Sequence, residues 1–175
     1  MKSGPQRKNI VLTGFMGTGK TAAGRELSHI LNWKLMDLDN EIMQLKGMSI
    51  SEIFSVFGEP VFRDIETEMI RVTSARKNII IATGGGAVLR KENIDMLREN
   101  GIIVNLSASP ETVLRRTGGS DERPLLQVEN PLRRITELLE FRMPFYQNAD
   151  VLIDTECKSP LQVAEEILER IGWKR

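Results

Sequence analysis

The strongest constraint on how this chain can fold is a set of short, unbroken apolar runs. They lie at residues 9–14 (NIVLTG), 78–84 (NIIIATG), 101–107 (GIIVNLS) and 149–155 (ADVLIDT), with a weaker fifth at 33–39 (WKLMDLD). A strand wetted on one face alternates apolar and polar residues. Continuous apolarity therefore predicts strands covered on both faces, the condition of a parallel sheet. The stretches between carry helical spacing: Leu27, Ile30 and Leu31 in the first, and Leu161, Ala164, Ile167, Leu168 and Ile171 in the last. Strand alternating with helix throughout predicts an α/β doubly wound sheet. The 175 residues suit one domain, 1–175, with no internal repeat and no low-complexity linker.

Composition removes several classes of function. The 24 basic and 24 acidic residues cancel, which argues against a general nucleic-acid or anionic-membrane binder. His29 and Cys157 are each the sole residue of their type, so no zinc set and no intrachain disulfide can form. Cys157 reads as a small buried thiol. His29 lies in the helix-like "ELSHILNW" without a nucleophile elbow, against a Ser-His-Asp hydrolase. The N-terminal "MKSGPQRK" lacks the apolar stretch of a secretory signal, and no run approaches a membrane span. The expectation is a cytoplasmic protein.

Directly behind the first apolar run, Gly14-x4-Gly19-Lys20-Thr21 fits the phosphate-binding loop. Its glycines let successive N–H groups turn toward phosphate oxygens, Lys20 brings a charge for the β- and γ-phosphates, and the Thr21 hydroxyl suits Mg²⁺. The helix that follows presents its positive end. A rival match overlaps it: Gly17-x-Gly19-x-x-Ala22, with Asp37 and Asp39 about 20 residues on, satisfies a dinucleotide fingerprint. The fingerprint leaves Gly14 and the Lys-Thr pair unexplained, whereas the phosphate loop uses them all. Binding of a nucleoside triphosphate is the reading that follows, with the acceptor unnamed.

Other constellations bear on that acceptor. Asp37 and Asp39 are two apart at the end of a predicted strand, so their side chains would face one way, toward the ligand crevice. One would orient the metal's waters and the other take or hold an acceptor hydroxyl; the same "DLDNEIM" equally suits the capped start of a helix. Gly84, Gly85 and Gly86 follow a buried run and would let backbone N–H groups approach a ligand. Arg63, Arg115, Arg116, Arg123 and Arg142 are each ordinary surface candidates, yet several could converge on a small anion and on a transferring phosphoryl group. Residues 117–131, rich in glycine, charge and proline, are predicted to form a long loop of the kind that works as a lid.

Taken in order, "GFMGTGKT", "DLD", "FGEPVFRDIE", "TGGGAV", "RRTGG", "RPLL" and "FRMPFY" resemble the shikimate kinases over nearly everything from Asn9 to Ile171. The resemblance implies a three-layer α/β/α fold of the nucleoside-monophosphate-kinase type. Its five-stranded parallel sheet would have order 2-3-1-4-5, with a mobile lid at about 117–131 and an acceptor-binding segment at about 37–66. It implies transfer of the ATP γ-phosphoryl group to the 3-hydroxyl of shikimate, with Mg²⁺, on the route to chorismate and the aromatic amino acids.

Carried over by position, Gly17, Thr18, Gly19, Lys20, Thr21 and Ala22 would hold ATP. Arg116 would pack on the adenine, and Arg123 would swing in to the phosphoryl group. Thr21 and Asp37 would serve the metal, the latter through water. Asp39 would orient or activate the acceptor hydroxyl; with Lys20 and Arg123 it makes up the catalytic set. Arg63 and Arg142 would clamp the shikimate carboxylate, with Glu66 positioning Arg63. Gly84, Gly85 and Gly86 would line the acceptor pocket, and Phe54 and Phe62 would wall it. "DTECKSP" at 154–160 departs from the arginine or asparagine common on the adenine side of the family. The implied partner is shikimate, with no nucleic acid and no membrane, acting on a monomer. The alternatives are a gluconate or nucleoside-monophosphate kinase, or a nucleotide-binding regulatory module without chemistry.

Overall fold

Each of the five apolar runs contains a strand: β1 (Asn9–Thr13), β2 (Lys34–Asp37), β3 (Ile79–Ala82), β4 (Gly101–Ser107) and β5 (Val151–Asp154). The computed structural model describes residues 8–118 and 128–173. The strands form one parallel sheet in the order β2-β3-β1-β4-β5, with Ile10 beside Ile80 and Leu12 beside Val104. The helices are α1 (Lys20–Leu31), α2 (Leu38–Lys46), α3 (Ile50–Ser74), α4 (Lys91–Asn100), α5 (Pro110–Thr117), α6 (Pro131–Tyr146) and α7 (Pro160–Arg170), with a 3₁₀ turn at Ala87–Leu89.

Burial on both faces explains the unbroken apolar runs. Val11, Ile79, Ile81 and Ile103 pack on one side of the sheet with Ile70 of α3, Leu97 of α4, Val113 of α5 and Ile135 of α6. Ile10, Leu12, Ile80, Val104 and Leu106 pack on the other with Leu27 of α1 and Ile167 of α7. All five residues of β1 are buried. Burying each Val, Leu or Ile side chain contributes about 1.5–3 kcal/mol, so this three-layer arrangement is the source of most of the stability. The edge strands differ: β2 buries only Met36 and β5 only Ile153, which accounts for the weaker pattern at 33–39.

Two local features set up the site. β2 ends at Asp37, which caps α2 by accepting a hydrogen bond from the Asn40 backbone N–H at 3.3 Å. Asp39 therefore lies in the first turn of α2, and the two carboxylates do not share a strand face as expected. The second feature is a break in α3 at Gly58 (φ 81°, ψ 164°), followed at once by Glu59 and Pro60. A left-handed φ suits glycine, and proline fits the first turn of the segment that resumes because its missing N–H has no partner there.

Candidate active site

The phosphate loop spans the end of β1 to the start of α1. Gly14 stands at φ 133°, where a side chain would also run into the Leu106 carbonyl of β4, so only glycine fits. The Thr18 hydroxyl donates to the Phe15 carbonyl at 2.8 Å and is fully buried, which closes the loop on itself. Gly19 precedes α1 and supplies no side-chain cap, and the first turn holds no acidic residue. The helix therefore aims uncapped N–H groups and its positive end at the loop, the condition for anion binding. The Lys20 ammonium folds over it, donating to the carbonyls of Gly14 and Phe15 at 2.8 Å each.

The Thr21 hydroxyl donates to Asp37 Oδ2 at 2.6 Å. Of the two readings the sequence left open for Asp37, the structure shows the helix cap through Oδ1, while Oδ2 meets Thr21 at the end of the loop. A hydroxyl and a carboxylate side by side are hard oxygen donors suited to Mg²⁺, which takes few protein ligands and completes its shell with water and phosphate.

A second cluster lies on the far side of the same cavity, which measures about 620 Å³. Arg63, in the resumed part of α3, donates through Nη1 to Glu66 at 2.7 Å and through Nη2 to Glu59 at 2.9 Å. Burial alone would lower the Arg63 pKa, but Glu66 and Glu59 outweigh it and raise it. Glu66 is fully buried, and among the described residues its Oε1 has no hydrogen-bond partner. Burial pushes the Glu66 carboxyl above the ordinary glutamate range and Asp39 adds to this, while Arg63 and Arg142 pull against it. Arg142, from α6, is buried; its guanidinium lies over the Phe15 ring at 5.6 Å and, among the described residues, its Nε has no hydrogen-bond partner.

The glycine triplet packs under these side chains. A Cβ on Gly84 would lie 2.5 Å from Glu66 Oε1 and 2.9 Å from Asp39 Oδ1, and one on Gly86 would collide with the Arg63 guanidinium. Neither residue has a positive φ. The need for glycine is therefore space for three charged side chains, a reason that sequence reasoning about ligand approach did not include. Tyr146 fastens the triplet by donating to the Gly85 carbonyl at 2.7 Å; burial holds its phenol at a pKa of about 12.

Gly17, Gly19, Lys20, Thr21, Ala22, Asp37, Asp39 and Arg116 all line the cavity, as do Phe54, Phe62, Arg63, Gly84, Gly85, Gly86 and Arg142. Phe54 and Phe62 meet at 4.9 Å between ring centroids and form an apolar wall. Thr18 does not line it, because its side chain is spent inside the loop. Arg123 lies outside the described residues, as does most of the 117–131 segment. Arg116 donates to the Gly17 carbonyl at 3.3 Å and to the Thr155 hydroxyl at 3.0 Å, tying the phosphate loop to the residues after β5. Cys157, expected to be buried, is exposed there at φ 54° in a tight turn. Sequence reasoning missed Tyr146 and Glu59, though each had a signal, being one helical turn (i, i+4) from an arginine already singled out.

Known proteins resemble this chain over most of its length. The shikimate kinase family model matches residues 16–172. A shikimate kinase of Thermodesulfovibrio yellowstonii is 52% identical over 93% of this chain and 94% of its own length. One from Caldanaerobacter subterraneus is 49% identical over 92% of this chain and 94% of its own. The structure of the Acinetobacter baumannii shikimate kinase in complex with shikimate superposes with a TM-score of 0.92 at 40% identity, covering 94% of this chain and 93% of that one. A gluconokinase from Sinorhizobium meliloti, at 16% identity and a TM-score of 0.60, shares the fold alone.

Proposed function

The chain belongs to the shikimate kinase family, and from that premise we propose how its own residues carry out ATP-dependent phosphorylation of shikimate. The observation that carries the reading is the acceptor cluster: two arginines, one of them buried with an orphaned Nε, beside Asp39 and over a glycine triplet. This suits a small, hydroxylated carboxylate, with Arg63 and Arg142 on the carboxylate and the Phe54–Phe62 wall against its carbon ring.

The ATP phosphates lie against the loop of Gly17, Gly19 and Lys20 and the N-terminus of α1. Thr21 would ligate Mg²⁺ and Asp37 would hold its water shell; the ion would supply charge neutralisation on the phosphates. Arg116 packs on the adenine. Asp39 accepts a hydrogen bond from the 3-hydroxyl of shikimate. As the hydroxyl oxygen forms its bond to the γ-phosphorus, the bond from that phosphorus to the β–γ bridging oxygen breaks and the hydroxyl proton passes to Asp39. ADP leaves with its bridging electrons, and Lys20 meets the charge developing on the phosphoryl oxygens. Arg123, in the 117–131 segment, completes this as a lid residue. The enzyme works as a cytoplasmic monomer on a small molecule, with no nucleic acid or membrane partner. In support, net charge is zero and, among the described residues, no helix is long and apolar enough to cross a membrane.

An ADP-release assay across shikimate, gluconate and AMP tests the reading. ADP formation that depends on shikimate alone is the expected result; turnover with gluconate or AMP, or with none of the three, would refute it.

A further inference from the structure

Arg63 is held from both sides along its own helix. Glu66, three residues on and fully buried, accepts from Nη1 at 2.7 Å. Glu59, four residues back with its side chain 43% exposed, accepts with the single oxygen Oε1 from both Nε at 3.2 Å and Nη2 at 2.9 Å. The face of the guanidinium rests on Gly86, where no Cβ fits. Each contact removes a different freedom. Gly86 sets the plane of the group, and Glu66 fixes one corner of it. Without Glu59, the guanidinium could still pivot within that plane about its bond to Glu66.

The backbone places Glu59 for this task. Gly58, at φ 81°, turns the chain out of the first segment of α3, and Pro60 locks the first turn of the second. Glu59 lies between these two fixed points, one helical turn before Arg63. Arg63 lines the cavity, whereas neither Glu59 nor Glu66 does. A guanidinium has five N–H groups. Glu59 takes two and Glu66 one, which leaves one on each terminal nitrogen for a ligand.

We infer that Glu59 is a positioning residue for the acceptor site: it stops Arg63 from pivoting and so presents the remaining N–H groups to the substrate carboxylate. The inference rests on the proposed role of Arg63 as a carboxylate clamp. Glu59 touches no reacting atom, so its effect should appear in shikimate binding and not in the chemical step.

Steady-state kinetics of Glu59→Ala, Glu59→Gln, Arg63→Ala and the Arg63→Ala/Glu59→Ala double variant test it, together with thermal melting. Glu59→Ala should raise the KM for shikimate roughly 3- to 30-fold, within the span of couplings between residues in direct contact, and leave kcat and the KM for ATP unchanged. Glu59→Gln keeps an acceptor oxygen and should recover most of the loss. In the Arg63→Ala background, Glu59→Ala should add nothing. A merely structural role would lower the Tm and move all the kinetic constants together, with the same penalty in both backgrounds, and that outcome overturns the inference. So does an unchanged or lowered KM in Glu59→Ala while Arg63→Ala raises it. If Arg63→Ala itself leaves KM unaltered, the clamp reading fails and the inference falls with it.

Discussion

Gly86→Ala isolates the reason for the glycine triplet. Gly86 has φ −100° and ψ −2°, a conformation open to alanine, so the substitution adds a methyl group without a left-handed penalty. That methyl would lie 2.5 Å from the Arg63 guanidinium carbon. Ordinary contact needs about 3.5–4.0 Å, so Arg63 or the 85–87 backbone must yield by about 1 Å. A long, free arginine would move at little cost. This one is bound to Glu66 at 2.7 Å and to Glu59 at 2.9 Å, and because the methyl presses on the guanidinium face, a shift of that size bends both bonds out of the guanidinium plane and weakens them.

Hydrogen bonds to charged groups contribute about 1.5–3 kcal/mol, and overpacking a close-packed site costs about 1–3 kcal/mol. The expected outcome is a KM for shikimate raised roughly 10- to 100-fold and a Tm lowered by about 2–12 °C. Gly85→Ala is the internal control. Its nearest new neighbour is the Met16 backbone nitrogen at 3.4 Å, close to ordinary contact, so it should cost much less. Steady-state kinetics and thermal melting on both variants decide the matter. If Gly86→Ala keeps a KM within about twofold of the parent, or if Gly85→Ala is equally damaging, packing against Arg63 is not why glycine is needed.

Three further outcomes follow from the same contacts. Asp37→Asn keeps a good N-cap for α2 and should hold the Tm while activity falls and its Mg²⁺ requirement rises; Asp37→Ala should also lose about 0.5–2 kcal/mol in denaturant unfolding. Glu66, with its carboxyl pKa raised by burial, favours the native state most where it is protonated and loses that contribution as pH climbs above the ordinary value of 4.5. Urea titrations of Glu66→Gln between pH 4 and 7 should therefore show its stability improving against the parent as pH rises, and a constant difference would contradict the raised pKa. Replacing the acceptor's carboxylate by a hydroxymethyl group should lower kcat/KM by about 2–5 kcal/mol, roughly 30- to 4,000-fold, in an ADP-release assay, because it leaves Arg142 with no carboxylate in contact and its Nε still unsatisfied.

The sheet was legible because two-faced burial writes itself into sequence as unbroken apolarity, seen most clearly in β1 and β3. The phosphate loop was legible for a different reason: its function is carried by backbone geometry, which demands glycine at fixed spacing. Strand order came only with the family resemblance, since apolar runs do not say which neighbours pair. Local spacing left Asp37 and Asp39 open between a shared strand face and a capped helix start, and the second holds, because β2 passes into α2 with no intervening loop and the period changes from two to 3.6 between them. It misjudged Cys157, whose surroundings depend on a tight turn after an edge strand that no apolar pattern marks. The role of Gly84 and Gly86 as floors for Glu66, Asp39 and Arg63 joins residues from three separate elements, and no window of sequence contains it.

The two arginines proposed to hold the acceptor meet the cost of burying a cation in different ways. Arg63 has two carboxylates from its own helix and is fixed before any ligand arrives. Arg142 is more enclosed still, yet among the described residues no salt bridge is found for it; it lies over the Phe15 ring, meets the Tyr146 hydroxyl and feels the Glu66 carboxyl without a contact between them. A buried charge without a carboxylate in contact still costs the fold something, and an incoming carboxylate would offset that cost on binding. A neutral ligand of the same shape would not. In the proposed site the braced arginine would thus supply direction, and the one without a salt bridge would supply discrimination. A pair in which both were fully compensated by the protein would bind the same substrate but have much less reason to refuse its uncharged analogues.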